Sequence, residues 1–582
     1  MTQRGTTVLE PATDAIPILD PAVHRRRWAI LAVLALSLII ISLDNTVLNV
    51  ALPSMQRSLK ASSNDLQWII DAYTLVFAGL VLLGGNLGDR YGRKGCLQIG
   101  LLLLAGGSTL VVLSDTTSTV IVARAIMGVG GALIMPATLS ITSTVFVGAE
   151  RAKAIAVWAA CAAVGVALGP VLGGWLVEHY WWGSVFLVNI PIVVTALIAG
   201  TVLIPASKDP AVGPPDLAGA ALSTIGITAL VYAIIAASND GWSSASVVGS
   251  FATSIVILGA FIGVELRIAH PMLPMNFFRS GRFSAACLAI AFTFFALLGA
   301  MYFLTQYFQV VRGYTSLQAG ARMLPLAAGL AVAAPRGAAL AEHLGTKRVV
   351  AAGMVLNGCG LGLFALIRID TGYPMVALSL ILMGLGMGAT MAPATESVMG
   401  AVPAAQAGVG SAVNDAVRQL GSTLGIAVLG TVLATRYSAE LTPKLGSLGS
   451  ISEAVKKEML DSIAGGHTAA NSLLHPALIR GAADSAFVSA MAVTALIAAG
   501  AALAGAGVVA VFLPSREGAA AVRSLHAAPK RGRHVARHRA AARSHQPNRR
   551  HVRVADLSGH TAPHGKDSFL GVVLAHESSH SL

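Results

Sequence analysis

The sequence predicts an all-α membrane protein with fourteen membrane-spanning helices. Three observations predict it. Of the 582 residues, 55% are hydrophobic and only 12% are charged, which is more apolar surface than one soluble core can bury, so lipid is the expected solvent. The apolar residues fall into runs of roughly 20, the length that crosses a hydrocarbon layer as a helix. Lys and Arg gather in short clusters between those runs and in the C-terminal tail, as membrane topology requires. Glycine, alanine and serine lie inside the runs, where helix backbones approach closely in a bilayer.

In order, the runs are 28–50, 69–87, 97–113, 120–145, 154–176, 184–204, 217–237, 247–266, 283–307, 319–340, 349–367, 374–398, 407–434 and 487–513. Arg25, Arg26 and Arg27 precede the first. Basic residues then recur in every second connection: Arg90, Arg93 and Lys94, then Arg151 and Lys153, then Lys208, then Arg267, Arg279 and Arg282, then Lys347 and Arg348. The opposite connections are poorer in basic residues, with Arg57, Lys60, Arg312 and Arg368 as exceptions. This alternation puts both termini in the cytoplasm of a multi-pass plasma-membrane protein. The formal charge of +13 therefore reads as topology, and no nucleic-acid partner is expected. The first twenty or so residues are polar and the first run is too long for a signal peptide, so no cleaved leader is expected. Cys96, Cys161, Cys287 and Cys359 lie in or beside apolar runs with no ligand spacing, and no metal is expected.

The residues outside the runs define the remaining organisation. Residues 1–27 form an N-terminal cytoplasmic segment. Residues 205–216 are a short Pro-rich connection leading into two helices, the whole spanning 205–266. In the outward segment 436–484, Ile451, Val455, Met459 and Ile463 at helical spacing among charges predict a surface helix. The tail, 514–582, is rich in Arg, His and Ala. It reads as a solvated, disordered basic segment whose stretch 530–553 can meet anionic headgroups.

The chain also repeats itself. Leu87-Gly88-Asp89-Arg90-Tyr91-Gly92-Arg93-Lys94 follows the second run and Leu340-Ala341-Glu342-His343-Leu344-Gly345-Thr346-Lys347 the tenth, with the acid, the glycine and the final lysine in register. Pro136-Ala137-Thr138 recurs as Pro393-Ala394-Thr395, and Gly165 with Gly169 as Gly421 with Gly425. Two six-helix halves, 28–204 and 267–513, with two extra helices between them account for these offsets.

These residues carry a family resemblance. Gly85-Asn86-Leu87-Gly88-Asp89-Arg90-Tyr91-Gly92-Arg93-Lys94 resembles the signature loop of the major facilitator superfamily. Arg124 with Gly128 resembles the fourth-helix motif of its exporters, and Gly165, Gly169, Pro170, Gly173 and Gly174 the fifth-helix antiporter motif. The stretch Leu43-Asp44-Asn45-Thr46-Val47-Leu48-Asn49-Val50-Ala51-Leu52-Pro53 is similar to the first-helix motif of the fourteen-helix drug:proton antiporters of the QacA and EmrB type. Met127 and Gly183-Ser184 depart from the usual residues at their positions. The resemblance implies a major facilitator fold with two extra central helices and an antiporter: no enzyme, no cofactor beyond the proton gradient, and a monomer whose partners are protons, membrane lipids and an amphipathic small molecule.

An ionisable side chain inside a span costs about 2.5–3.5 kcal/mol on insertion scales, so each one is a functional candidate. Asp44 and Arg124 fall at nearly the same depth of the first and fourth runs and can pair. Such a pair is either the proton-coupling site or a permanent bridge that fixes packing. Asp71 is placed to meet a proton or a cationic substrate, or to sit hydrated at the interface. Asp415 and Arg418, three residues apart on one helical face, are a second protonation or contact site, or a local ion pair. Asn45, Asn49, Tyr73, Asn414 and Glu396 are candidates for the substrate cavity, Glu396 lying close enough to the cytoplasmic end to act at a gate. Gly165, Gly169 and Gly173 form one smooth stripe, which Pro170 bends. Together with Gly174 they suggest a moving helix contact. The resemblance implies that Gly85, Asp89, Arg90, Gly92, Arg93 and Lys94 form a latch between the halves, closed when the cavity faces outward. The expected function is extrusion of amphipathic compounds or drugs by alternating access. Export of a lipid, a cell-envelope precursor or a secondary metabolite is the alternative, with a transporter-like sensor or enzyme a more distant one.

Overall fold

The computed structural model describes residues 21–208, 215–446, 452–471 and 475–514. All the long elements among them are helices. The first span is Pro21–Leu59, the second Ser63–Tyr91, the third Arg93–Val112, the fourth Thr117–Val145 and the fifth Ala149–His179. The sixth runs over Ser184–Leu203, broken at Val188. The inserted pair is Leu217–Asp240 and Ala245–Glu265. The ninth span is Gly281–Gln306, closed by a π turn at Tyr307–Val311, and the tenth is Ser316–Leu344. Thr346–Phe364, Tyr373–Gly400, Ala407–Gly446 and Pro476–Phe512 complete the fourteen.

Thirteen of these are long and apolar enough to cross a membrane by length and composition. The eleventh carries Lys347 and Arg348 in its first turn and Asn357 in its middle, which lowers its apolarity, yet it packs beside the twelfth and fourteenth as a full member of the bundle. Most helices run past the apolar stretches that predict them. The first apolar run, 28–50, lies within Pro21–Leu59, because a helix satisfies its own backbone and need not stop where the hydrocarbon does. Outward-pointing Val248, Ile255, Val256 and Ile262 of the eighth span are the surface such a bundle offers to lipid.

The two halves repeat in detail. The second span opens with a capping box, Ser62 with Asp65, and the tenth with another, Thr315 with Gln318. Each of these helices turns into the next through one glycine, Gly92 at φ 122° and Gly345 at φ 87°, a conformation that glycine adopts without a steric penalty. A β-carbon at Gly92 would meet nothing nearer than the Ser207 carbonyl at 3.9 Å. Gly92→Ala is therefore expected to cost backbone strain alone, about 1–2 kcal/mol, read as a lower thermal midpoint in detergent with the bundle otherwise intact.

The face on which the first span starts carries Arg90, Lys94, Lys208, Arg267, Arg279, Lys347 and Arg348; this is the basic face. On the opposite face, the segment after the thirteenth span forms two short helices, Glu453–Asp461 and Ile463–Ala470, where one surface helix is expected. The chain breaks at Ser462, which caps the second of them through Gly465 N. Met459 and Ile463 are buried, and Tyr437 donates to the Met459 carbonyl at 3.1 Å, so the segment is packed on the bundle. Ile451 and the tail from 515 onward lie outside the described residues.

Candidate functional site: a buried ion-pair network and a latch between the halves

Asp44 is fully buried at mid-span, and its two carboxylate oxygens have different partners. Arg124 Nη1 donates to Oδ2 at 2.5 Å, and Asn189 Nδ2 donates to Oδ1 at 3.0 Å. Asn189 Nδ2 also lies 3.0 Å from Ser108 Oγ. Arg124 Nε donates to the Ile69 carbonyl at 3.2 Å, and its guanidinium stands 4.6 Å from the centre of the Tyr73 ring. Five spans thus join one network built around that carboxylate. The pairing agrees with the depth argument from sequence; Asn189 and Ser108 are additions, since an isolated Asn or Ser in an apolar run gives no signal of its own.

The cavity candidates separate in the structure. Asn45 is exposed, one residue from the network, and its Nδ2 donates to the Ile41 carbonyl at 2.9 Å. Tyr73 and Asn414 are buried, Tyr73 beneath Arg124. The side chain of Asn49 lies outside the described residues. Asp71 is half-buried near the outer end of the second span.

The second half holds a looser polar group. Arg418 Nη1 lies 3.5 Å from Asp415 Oδ1, Asn414 Nδ2 lies 3.4 Å from the same oxygen, and Thr395 Oγ1 donates to Asn414 Oδ1 at 3.3 Å. Arg418 sits 4.7 Å from the ring centre of Phe294 and 5.5 Å from that of Trp158, a first-half residue. Asp415 and Arg418 are therefore more than a local pair: the guanidinium reaches across to the other half. Trp158 itself is anchored by Nε1 donating to Thr138 Oγ1 at 3.1 Å.

On the basic face the halves are fastened directly. Asp89 accepts from the backbone N–H of Gly408 at 2.9 Å and of Val409 at 3.0 Å, at the start of the thirteenth span, where a helix N-terminus favours an anion. Arg93 donates to Asp89 at 2.7 and 2.8 Å and, from the same side chain, to the carbonyls of Ala404 and Ala405 at 2.9 and 2.8 Å. Gly85 lets the two backbones meet, because a β-carbon there would collide with Gly408 O and Ala412. Lys94 donates to the Thr201 carbonyl at 2.7 Å, within its own half, and Arg90 stacks on Tyr91. A second fastening was not foreseen. Arg151 grips Glu396 through Nη2 at 2.6 Å and Nε at 3.0 Å, an ion pair that joins the two halves near the cytoplasmic end where a gate role for Glu396 is expected. Glu342, the second-half counterpart of Asp89, is exposed.

The glycine stripe has two faces. Gly165 meets Ile39 and Ser42, Gly169 meets Thr46 and Gly173 meets Val47, all on the first span. Gly421 and Gly425 repeat this against Ala291 and Phe295 of the ninth span. Pro170 and Gly174 instead face Gly320 and Leu317 of the tenth span, in the other half. Gly169→Leu is expected to wedge the first and fifth spans apart and cut transport at least about tenfold while insertion persists; unchanged turnover would show that the contact can yield.

The family model of the Major Facilitator Superfamily matches residues 34–426. The chain belongs to the major facilitator superfamily. A multidrug efflux pump, LfrA, of Mycolicibacterium smegmatis is 36% identical over 496 residues, covering 84% of this chain and 96% of that protein. The methyl viologen resistance protein SmvA of Salmonella typhimurium is 33% identical over 417 residues, covering 72% of this chain and 84% of that protein. Among solved structures, a bacterial homologue of the human lysosomal transporter Spinster superposes with a TM-score of 0.54 at 19% identity over 86% of this chain and 99% of that one, a likeness of fold. This major facilitator protein is thus a multi-pass transporter and not an enzyme.

Proposed function

We propose that this transporter exports amphipathic organic compounds across the cell membrane in exchange for protons, by alternating access between its two faces. The names of its relatives support export and a drug-like substrate. The observation that carries the coupling is the Asp44 carboxylate, buried at mid-span and held by Arg124 and Asn189. In this reading the basic face is cytoplasmic and sealed, and the cavity is reached from outside beside Asn45. A proton entering from outside neutralises Asp44 and releases Arg124 from its anionic partner. The halves then rock, the Asp89 and Arg151 fastenings open, and the proton leaves to the cytoplasm as substrate is taken up.

The test is transport of a lipophilic cationic dye by purified protein in proteoliposomes. Dye movement should follow an imposed pH gradient and stop with a protonophore; movement indifferent to the gradient would overturn the coupling. Orientation has its own test. With Cys96, Cys161, Cys287 and Cys359 replaced, an impermeant thiol reagent on intact cells should label Ser452→Cys, and should label Arg348→Cys only after permeabilisation. The reverse pattern would invert the assignment of faces.

A further inference from the structure

Away from the central network, two carboxylates meet at the root of the inserted helices. Asp216 caps the seventh span: Oδ1 accepts from Gly219 N at 2.7 Å, and Oδ2 from Met272 N at 3.4 Å. Glu265 ends the eighth span, and its Oε2 accepts from Leu273 N at 3.2 Å. Both residues are deeply buried, with Glu265 3% and Asp216 8% exposed. The remaining oxygen, Glu265 Oε1, has no donor. It converges with Asp216 Oδ2 on the space over Gly219, where any β-carbon would collide with both.

Two ionised carboxylates cannot share such a site without a compensating charge. Among the described residues neither acid has a Lys or Arg partner, and the nearby Lys208, Arg267, His270 and Arg279 are exposed. The groups that face the pair from the connector and the seventh span are backbone N–H groups of Gly219, Met272 and Leu273. Those aim hydrogens inward, which opposes a metal ion and leaves too few oxygens to coordinate one. A single proton between Oδ2 and Oε1 satisfies the orphaned oxygen and removes one of the two charges.

We propose that Asp216 and Glu265 hold one proton between them, forming a protonation site distinct from Asp44 that clips the connector at Met272–Leu273 to the start of the seventh span. The placement gives the clip a role. That connector leads into the ninth span, the first of the second half, and the seventh span packs against both the second and the thirteenth. Gly79 of the second span abuts Thr228 of the seventh, and Trp242 after the seventh donates to Thr431 of the thirteenth at 3.3 Å. The inserted pair therefore lies along one edge of the joint between the halves, with the proton at its root. Loss of the proton sets two anions against each other and loosens the connector.

The experiment uses the full chain in lipid nanodiscs, with amide hydrogen exchange at Met272 and Leu273 corrected for the intrinsic effect of pH, and infrared detection of protonated carboxyl groups. Raising the pH from about 5 to about 9 should lower protection at these two amides at least about tenfold in the native protein, one pKa unit of differential interaction being a tenfold factor. Glu265→Gln supplies a neutral N–H donor to Asp216 and should make protection independent of pH, and it should remove one protonated-carboxyl band present in the native spectrum. Native protection that does not change with pH would overturn the proposal. So would a Glu265→Gln protein that keeps the pH dependence or the full carboxyl signal.

Discussion

Asp44→Asn is expected to abolish proton-driven efflux, so that the substrate gradient formed by reconstituted protein falls to that of empty vesicles, while substrate affinity changes less than about threefold. The fold should tolerate the change. Asparagine keeps the shape and an acceptor for Arg124. Asn189 can turn its amide to offer the new N–H its own Oδ1, which has no partner in the native network. What is lost is the exchangeable proton. A structural bridge behaves differently: removing one charge of a buried pair typically costs 3–5 kcal/mol, so misfolding or loss of binding, with rescue by the exchange Asp44→Arg with Arg124→Asp, would identify the pair as packing alone. Full efflux by Asp44→Asn would move the coupling role to Asp71 or Asp415.

Asp89→Asn should have the second largest effect. Asp89 receives donors from Arg93, Gly408 and Val409 and donates none, so an amide would turn its own hydrogens against one of them. Losing about 3 kcal/mol from this buried, charge-assisted cluster shifts the balance between sealed and open basic faces about a hundredfold. Two readouts follow. Turnover should fall at least about tenfold, and a cysteine placed at Ser411, buried on the thirteenth span just beyond the latch, should become labelled from the basic face. A variant that labels and transports as the native protein does would remove the latch role.

Fold class was legible in the sequence because apolar runs, alternating basic loops and the repeated loop around Gly92 and Gly345 each report on the same bundle. The Asp44–Arg124 contact was legible too, since depth in a helix follows from residue count. Side-chain reach across helices does not. Asn189 and Ser108 are ordinary residues until the sixth span brings Asn189 to the Asp44 carboxylate and the third brings Ser108 to Asn189. Arg151 read as a topological charge because nothing local shows that the end of the twelfth span lies beside it with Glu396. The glycine stripe announced a close helix contact but not its partner, and only packing assigns Gly169 to the first span and Gly174 to the tenth. The single outward helix expected around Val455 divides in two because Ser462 both interrupts one helix and caps the next, a role that spacing alone does not reveal.

The one-residue joints at Gly92 and Gly345 carry a mechanical consequence. A joint of one residue leaves no slack, so the second and third spans behave as a single lever, and so do the tenth and eleventh. Whatever travel the transport cycle demands falls to longer connections such as 266–280, which leads into the ninth span and holds a single short turn at Met275–Arg279. The levers set the direction of the stroke, and a connection of that kind sets its length.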